Sequence, residues 1–347
     1  MCIGASQLIF EFSGLGNADE REKLGLALAT LSVQAYEETF NLFIILDLGS
    51  DSSPSERRFC SPTARLRYSR GMNTRPIVLS IAGFDPSSGA GVTADTKTAA
   101  AFDCFAVTCI TALTIQSTQG VFGVEAVRPE AVRETLFRLA EDVKIAAVRI
   151  GMLGSGGVAG VVADFLEYHR PPNIVLDPVL RASSGAQLID LKGVDLIRER
   201  LLRLSDVVTP NLAEAVELAG STDGGGPALT SVADAEPRSR ELAAKLHQFG
   251  CRSLVITGSD LLQPSDYLSW LDSDGIRAQV FPAERVDSKA THGTGCAFAM
   301  ALACGLAHGR SLPDAVRQAQ DFVRRAISAA YPVGQGNGPM NHLFRLD

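Results

Sequence analysis

The chain has 347 residues, of which 46% are hydrophobic and 20% charged, with a formal net charge of −7. That length can form one large domain or two, each with a full core, and the composition is that of an ordinary globular protein. A negative balance without a basic stripe argues against nucleic acid as the main partner.

No apolar segment approaches the roughly 20 residues of a membrane span, so no membrane partner is expected. The longest candidate near the start, Leu42 to Leu46, is far too short, and no secretory signal pattern precedes it. Seven cysteines, an odd number, occur without CxxC pairs or zinc-like His spacing. They read as reduced, mostly buried residues of a cytoplasmic protein, with Cys104, Cys109 and Cys304 inside apolar runs.

Residues 1–71 differ from the rest. Glu20 to Phe43 has the spacing of an amphipathic helix, whereas Ser50 to Thr74 is rich in Ser and Arg. Such a segment buries too little apolar surface to offset its ordering entropy. Met72 stands just before the first strand-like run. Residues 1–71 are therefore read as an N-terminal extension, poorly ordered or a misassigned start. The competing reading is a docking or targeting arm. Residues 72–347 are read as the working domain.

From Pro76 onward strands and helices alternate. Strands are expected at Pro76 to Ala82, Ala106 to Thr114, Ala146 to Ile150, Asn173 to Leu176, Asp206 to Val208 and Ser253 to Ile256. Helices are expected at Thr93 to Phe102, Pro129 to Asp142, Gly157 to Tyr168, Leu191 to Leu204, Asn211 to Leu218 and Arg238 to Phe249. Tyr267 to Leu271 and Arg277 to Phe281 flank Asp272-Ser-Asp-Gly275, a hairpin signal, and two helices close the chain. Repeated βα units with apolar strands imply an α/β fold with a mainly parallel sheet covered on both faces.

In open α/β sheets ligands bind beyond the carboxyl ends of the strands, so each strand-to-helix junction is a candidate. The most informative is Thr291-His292-Gly293-Thr294-Gly295-Cys296, followed at once by an apolar helical stretch. Glycines let successive N–H groups of Gly293, Thr294, Gly295 and Cys296 face one concavity, and the helix adds its positive dipole end, which suits phosphate. Cys296 falls on the first turn, where a thiol pKa is expected to drop below its free value of about 8.5. Gly83-Phe-Asp85-Pro-Ser-Ser-Gly89-Ala-Gly91 suits a ligand-enclosing turn but is not a P-loop. Gln116 offers an amide that reads a heteroaromatic edge or sits in a solvated loop. Met152 packs against a flat ring or belongs to the core. Asp177 ends a strand where an acid meets a metal–phosphate complex. Asn211 and Glu214 lie one helical turn apart, where they order magnesium waters or form a capping box.

Together these loops resemble the ribokinase-like superfamily, and within it the hydroxymethylpyrimidine/phosphomethylpyrimidine kinases of thiamine biosynthesis. The resemblance rests on Ser80-Ile-Ala-Gly-Phe-Asp-Pro-Ser-Ser-Gly-Ala-Gly91, Ala112-Leu-Thr-Ile-Gln-Ser-Thr-Gln-Gly120, Gly151-Met-Leu153 and Leu176-Asp-Pro-Val179. It rests equally on Thr209-Pro-Asn-Leu-Ala-Glu214, Thr291 to Cys296 and Gly336-Asn-Gly-Pro339. It spans about residues 76–343 and leaves residues 1–71 outside.

The resemblance implies a three-layer α/β/α ribokinase-like fold, ATP and Mg²⁺ as cofactors, and a homodimer. It implies two successive phosphorylations in one site, first of the hydroxymethyl oxygen of 4-amino-5-hydroxymethyl-2-methylpyrimidine, then of the phosphate just attached. Cys296 would take the alcohol proton, and the amides of Gly293, Thr294 and Gly295 would stabilise the moving phosphoryl group. Gln116, Ala82, Asp85, Met152 and Val179 would hold the pyrimidine. Asn211, Thr257, Gly258 and Lys289 would serve the nucleotide, and Asp177 and Glu214 the metal. Many relatives have Lys-Gly where this chain has Thr257-Gly258, and Lys289 is the candidate substitute. Residues 221–237 read as a variable loop. The alternatives are a pyridoxal/pyridoxine kinase and a catalytically silent pyrimidine sensor that uses residues 1–71 as an interaction arm.

Overall fold

Alternate residues of the central strands are apolar on both sides, so each strand needs a helical layer above and below it. The computed structural model meets that need; it describes residues 7–12, 41–46, 75–182, 185–220, 232–258 and 264–346. The chain divides into two units, Met1–Gly71 and Met72–Asp347. In the first, strands β1 (Gln7–Phe12) and β2 (Asn41–Leu46) pair in parallel. The helix expected over Glu20 to Phe43 lies outside the described residues, except that its last three positions open β2 instead.

The second unit runs β3 (Ile77–Phe84), α1 (Gly91–Ala101), β4 (Phe105–Ser117), β5 (Gly120–Ala126), α2 (Pro129–Asp142), β6 (Ile145–Ile150), α3 (Gly156–His169) and β7 (Ile174–Leu176). Next come α4 (Leu191–Leu196), which passes through a π turn (Ile197–Leu201) into α5 (Leu202–Leu204), then β8 (Val207–Val208), α6 (Leu212–Leu218) and α7 (Val232–Gln248). The chain closes with β9 (Ser253–Ile256), the hairpin β10 (Ser265–Asp272) and β11 (Gly275–Pro282), α8 (Thr294–Ala307) and α9 (Leu312–Ser328).

Nine strands form one sheet in the order β11-β10-β9-β8-β7-β6-β3-β4-β5. The pairings from β4 through β9 are parallel, and β5, β10 and β11 add antiparallel edges. Leu79, Ile81, Val148, Ile150, Leu176 and Leu254 pack against α2, α3 and α7 on one face. Their neighbours Val78, Ala147, Val175 and Val255 meet α8 and α9 on the other. The architecture is the expected three-layer α/β/α sandwich.

Three local features depart from the sequence reading. α7 begins at Val232, inside the stretch read as a variable loop at 221–237 and six residues before the helix expected from Arg238, and it carries Pro237 within it. Residues 221–231 lie outside the described residues. β4 runs on through Gln116 and Ser117 and turns back into β5, so Gln116 sits on a strand rather than in a loop. The helix expected as one piece from Leu191 to Leu204 is interrupted by the π turn, which periodicity averages over.

Candidate active site

The carboxyl ends of β3, β4, β6, β7, β8 and β9 share one edge of the sheet, and a cavity of about 500 Å³ opens there. That is a volume suited to a small ligand. It brings together Asp85, Gln116, Met152, Asp177, Val179, Asn211, Glu214, Thr257, Gly293, Thr294, Gly295 and Cys296 from distant parts of the chain. Three expected residues lie elsewhere. Ala82 is fully buried inside β3, and the next residue, Gly83, takes the lining position. Gly258 joins Thr257, Leu212 and Tyr267 around a small adjoining pocket. Lys289 is exposed outside the cavity lining, on the loop that leads to the anion turn; Arg181 lines the cavity instead.

Gly293 caps α8 with φ 79°. A side chain there would be strained by the left-handed backbone, and a Cβ would overlap the Gly89 carbonyl. The first N–H groups of α8, from Thr294 to Cys296, have no acceptor within the helix and stand at the cavity wall, an arrangement that can take an anion.

Behind that turn lies a buried charge cluster that the sequence reading missed. Arg149 is fully buried, with Nη1 3.0 Å from Asp95 Oδ2 and Nη2 2.5 Å from Asp177 Oδ2. Ser80 donates to Asp95 at 2.5 Å. Burial pushes Asp95 up to about 6, against the pull of Arg149 and Ser80. Burial also raises Asp177, opposed chiefly by Arg149. The signal present in the sequence is a lone charge in the otherwise apolar β6, because a buried charge requires partners.

Cys296 is half-buried, beside Arg149 and Asp177, and accepts from the Gly91 N–H. The expected depression of its thiol is not found. Desolvation is the largest influence and, with Asp177 and Asp95 near it, outweighs Arg149, so the thiol rises to about 11.

Asn211 and Glu214 form the capping box: Asn211 Oδ1 accepts from the Glu214 N–H at 2.9 Å, and Glu214 Oε2 accepts from the Asn211 N–H at 2.9 Å. Glu214 still lines the cavity, and burial, with the charge of Asp177 next, raises it to about 8. Two buried carboxylates that disfavour each other's charge suit an added cation. Among the described residues, however, no group of three or more His, Cys, Asp or Glu side chains could hold a metal. A cation held here would rely on few protein oxygens, as Mg²⁺ does when it keeps its waters.

Asp85 gathers the first turn: its carboxylate accepts from the N–H groups of Ser87, Gly89 and Ala90 and meets His292 Nε2 at 2.7 Å. Burial alone would raise it, but hydrogen bonds from His292 and Ser87 win and hold it at about 2. His292 also approaches the Gln116 amide, at 3.1 Å. From the sequence, His292 reads only as part of the anion turn.

This fold and this edge-on site define a kinase phosphotransferase of the ribokinase-like class. Its solved neighbours include the ADP complex of Bacillus subtilis pyridoxal kinase, 29% identical at a TM-score of 0.68, with 79% of this chain and 100% of that chain covered. The chain belongs to the phosphomethylpyrimidine kinase family, whose profile matches residues 85–341. It is 39% identical over 269 residues to the hydroxymethylpyrimidine/phosphomethylpyrimidine kinase of Haemophilus influenzae, covering 76% of this chain and 96% of that protein. It is also 36% identical over 312 residues to the Geobacter sulfurreducens thiamine biosynthesis bifunctional protein ThiED, covering 87% of this chain and 61% of that longer protein. Among the described residues no helix is long and apolar enough to cross a membrane.

Proposed function

We propose that this protein uses ATP to phosphorylate 4-amino-5-hydroxymethyl-2-methylpyrimidine and then its monophosphate, giving the diphosphate for thiamine biosynthesis. The observation that carries this reading is that the α8 anion turn and the Gln116 amide open into one cavity. A phosphoryl group and a polar heteroaromatic edge thus meet within reach of each other. The names of the Haemophilus and Geobacter relatives fit the same chemistry.

In this reading Gln116 contacts the ring edge, while Met152 and Val179 supply apolar walls and Asp85 holds the enclosing turn. Thr257, Gly258 and Asn211 face the nucleotide side, and Arg181 replaces Lys289 as the cation near its phosphates. Asp177 and Glu214 would hold Mg²⁺, which neutralises phosphate charge when bound. The backbone amides of Thr294, Gly295 and Cys296 stabilise charge on the transferring group.

A thiol held near 11 offers only about one thiolate in ten thousand at pH 7. Before cation and nucleotide bind, Cys296 is therefore a neutral thiol beside the anion turn. In this reading positioning with charge stabilisation carries most of the catalysis, as a loose phosphoryl-transfer transition state permits. The monophosphate is already ionised and needs no base at all.

A homodimer goes with this reading, since the edge hairpin β4–β5 leaves Leu113, Ile115 and Phe122 exposed for a second copy to cover. The five described cysteines are free thiols, in keeping with a cytoplasmic setting. Residues 1–71 are read as an extension outside the kinase domain.

The likeness to a pyridoxal kinase makes pyridoxine the competing substrate. ADP formation measured side by side with the pyrimidine alcohol, its monophosphate and pyridoxine decides between them. Turnover of the two pyrimidines is expected; turnover of pyridoxine alone would overturn the reading. No ADP with any of the three would indicate a binding protein instead.

A further inference from the structure

His292 Nε2 stands 2.7 Å from Asp85 Oδ2 and 3.1 Å from Gln116 Nε2. Asp85 is almost wholly buried and, as an ionised carboxylate, can only accept hydrogen bonds. The His292 nitrogen that faces it must therefore carry hydrogen. A ring nitrogen bearing hydrogen cannot also accept from an amide NH₂, so two donors would oppose each other there. Exchanging the amide O and N, which are nearly alike in shape, turns the Gln116 carbonyl toward His292.

The other side of the amide accommodates that orientation. Thr114 Oγ1 lies 3.0 Å from the Phe84 carbonyl and 3.1 Å from Gln116 Oε1, the position that the exchange gives to the NH₂. Its hydroxyl has one hydrogen, which the Phe84 carbonyl takes, because a carbonyl cannot donate in return. Thr114 Oγ1 is then an acceptor for Gln116, and the amide NH₂ faces Thr114. The chain of donors is consistent in one sense only. The single hydrogen on His292 Nε2 goes chiefly to Asp85 at 2.7 Å and is shared with the Gln116 carbonyl at 3.1 Å; Gln116 donates to Thr114, and Thr114 to Phe84.

We propose that His292 is a positioning residue for substrate specificity, fixing the sense of the Gln116 amide so that its free edge shows one acceptor beside one donor. That edge complements a ring with an amino group next to a ring nitrogen, the pattern of a 4-aminopyrimidine. A 3-hydroxypyridine such as pyridoxine has no such adjacent pair and can satisfy only one of the two groups. His292 belongs to the same turn as Gly293 to Cys296, and its ring fills the space that a Cβ on Gly89 would need. It therefore ties ring recognition to the phosphate turn. The inference rests on the reading that Gln116 contacts the ring.

The test compares His292→Leu, His292→Gln and Gln116→Leu, with KM and kcat for the aminopyrimidine alcohol, pyridoxine and ATP. His292→Leu is expected to raise KM for the aminopyrimidine by roughly 10–100-fold, the usual effect of removing one hydrogen bond from a closed site. KM for ATP and for any pyridoxine turnover should stay within about threefold, because neither uses the oriented edge. His292→Gln keeps an N–H donor at similar reach and should restore most of the affinity. Equal losses for all three ligands, or no rescue by His292→Gln, would overturn the proposal and leave His292 as loop scaffold. If Gln116→Leu itself spares aminopyrimidine binding, the reading of Gln116 fails; if it weakens binding while His292→Leu does not, only the present inference fails. Long-range ¹H–¹⁵N NMR of the unsubstituted protein gives a check that no folding defect can spoil. Hydrogen on His292 Nε2 is expected, and an unprotonated Nε2 would overturn the argument.

Discussion

Replacing Arg149 by Met removes the cation that Asp95 and Asp177 share while keeping most of the side-chain volume. Asp95 would retain Ser80 as its partner, and Asp177 would keep Cys296, but neither would face a positive charge. Breaking a buried ion pair from one side costs about 3–5 kcal/mol, because the remaining charge is stranded away from water. A domain of this size loses roughly 2–4 °C per kcal/mol, so the melting temperature should fall by roughly 6–20 °C at pH 7. The loss should shrink when Asp95→Asn is added, since an amide needs no counter-charge, and it should shrink near pH 5, where Asp95, at about 6, is protonated. Thermal unfolding followed by circular dichroism reads all three effects. An unchanged melting temperature for Arg149→Met, or a double variant less stable than the single one, would refute the reasoning.

Cys296→Ser should slow both phosphorylations by less than about tenfold in single-turnover kinetics, as befits a neutral thiol; a fall of roughly 10²–10⁴-fold confined to the first step would restore Cys296 as general base. Asp85 is depressed from 3.8 to about 2 on folding, so its stabilisation is present above pH 3.8 and is lost as pH falls through 2. The difference in unfolding free energy between wild type and Asp85→Asn, read by urea denaturation, should narrow by about 2 kcal/mol from pH 5 to pH 2, and a constant gap would contradict the hydrogen-bonding account. A chain beginning at Met72 should fold and keep full kinase activity; loss of soluble protein on that truncation would show that residues 1–71 support the fold. That result carries extra weight because the Geobacter match covers more of the chain than residues 72–347 contain.

Most of the layered fold was legible because apolar strands alternate with helices of 3.6-residue periodicity, and α2 and β9 fall on the expected residues. The β4–β5 hairpin was not, because Gln116-Ser-Thr-Gln-Gly120 carries the polarity of a loop while its backbone pairs as strand. The anion turn announced itself through Gly293 and Gly295 beside an apolar helix. What surrounds it did not: a thiol's pKa depends on groups brought in by α1, β6 and β7, and local position on a helix could not reveal their combined effect. Ala82 shows the limit of motif transfer at single-residue scale, since strand alternation turns it into the core and leaves Gly83 at the cavity. Lys289 has the right charge and stands near the turn in sequence, whereas Arg181, far away in sequence, is the residue that lines the site.

The central claim is that one cavity serves both phosphorylations of an aminopyrimidine. The most direct measurement is ³¹P NMR of the purified protein with ATP, magnesium and the pyrimidine alcohol, followed over time. A monoester signal should appear first and give way to the paired phosphorus signals of a diphosphate ester, with two ADP formed per alcohol, and Gln116→Leu should impair both stages. Accumulation of the monoester with no diphosphate, or diphosphate formation that Gln116→Leu leaves untouched, would contradict a single shared site.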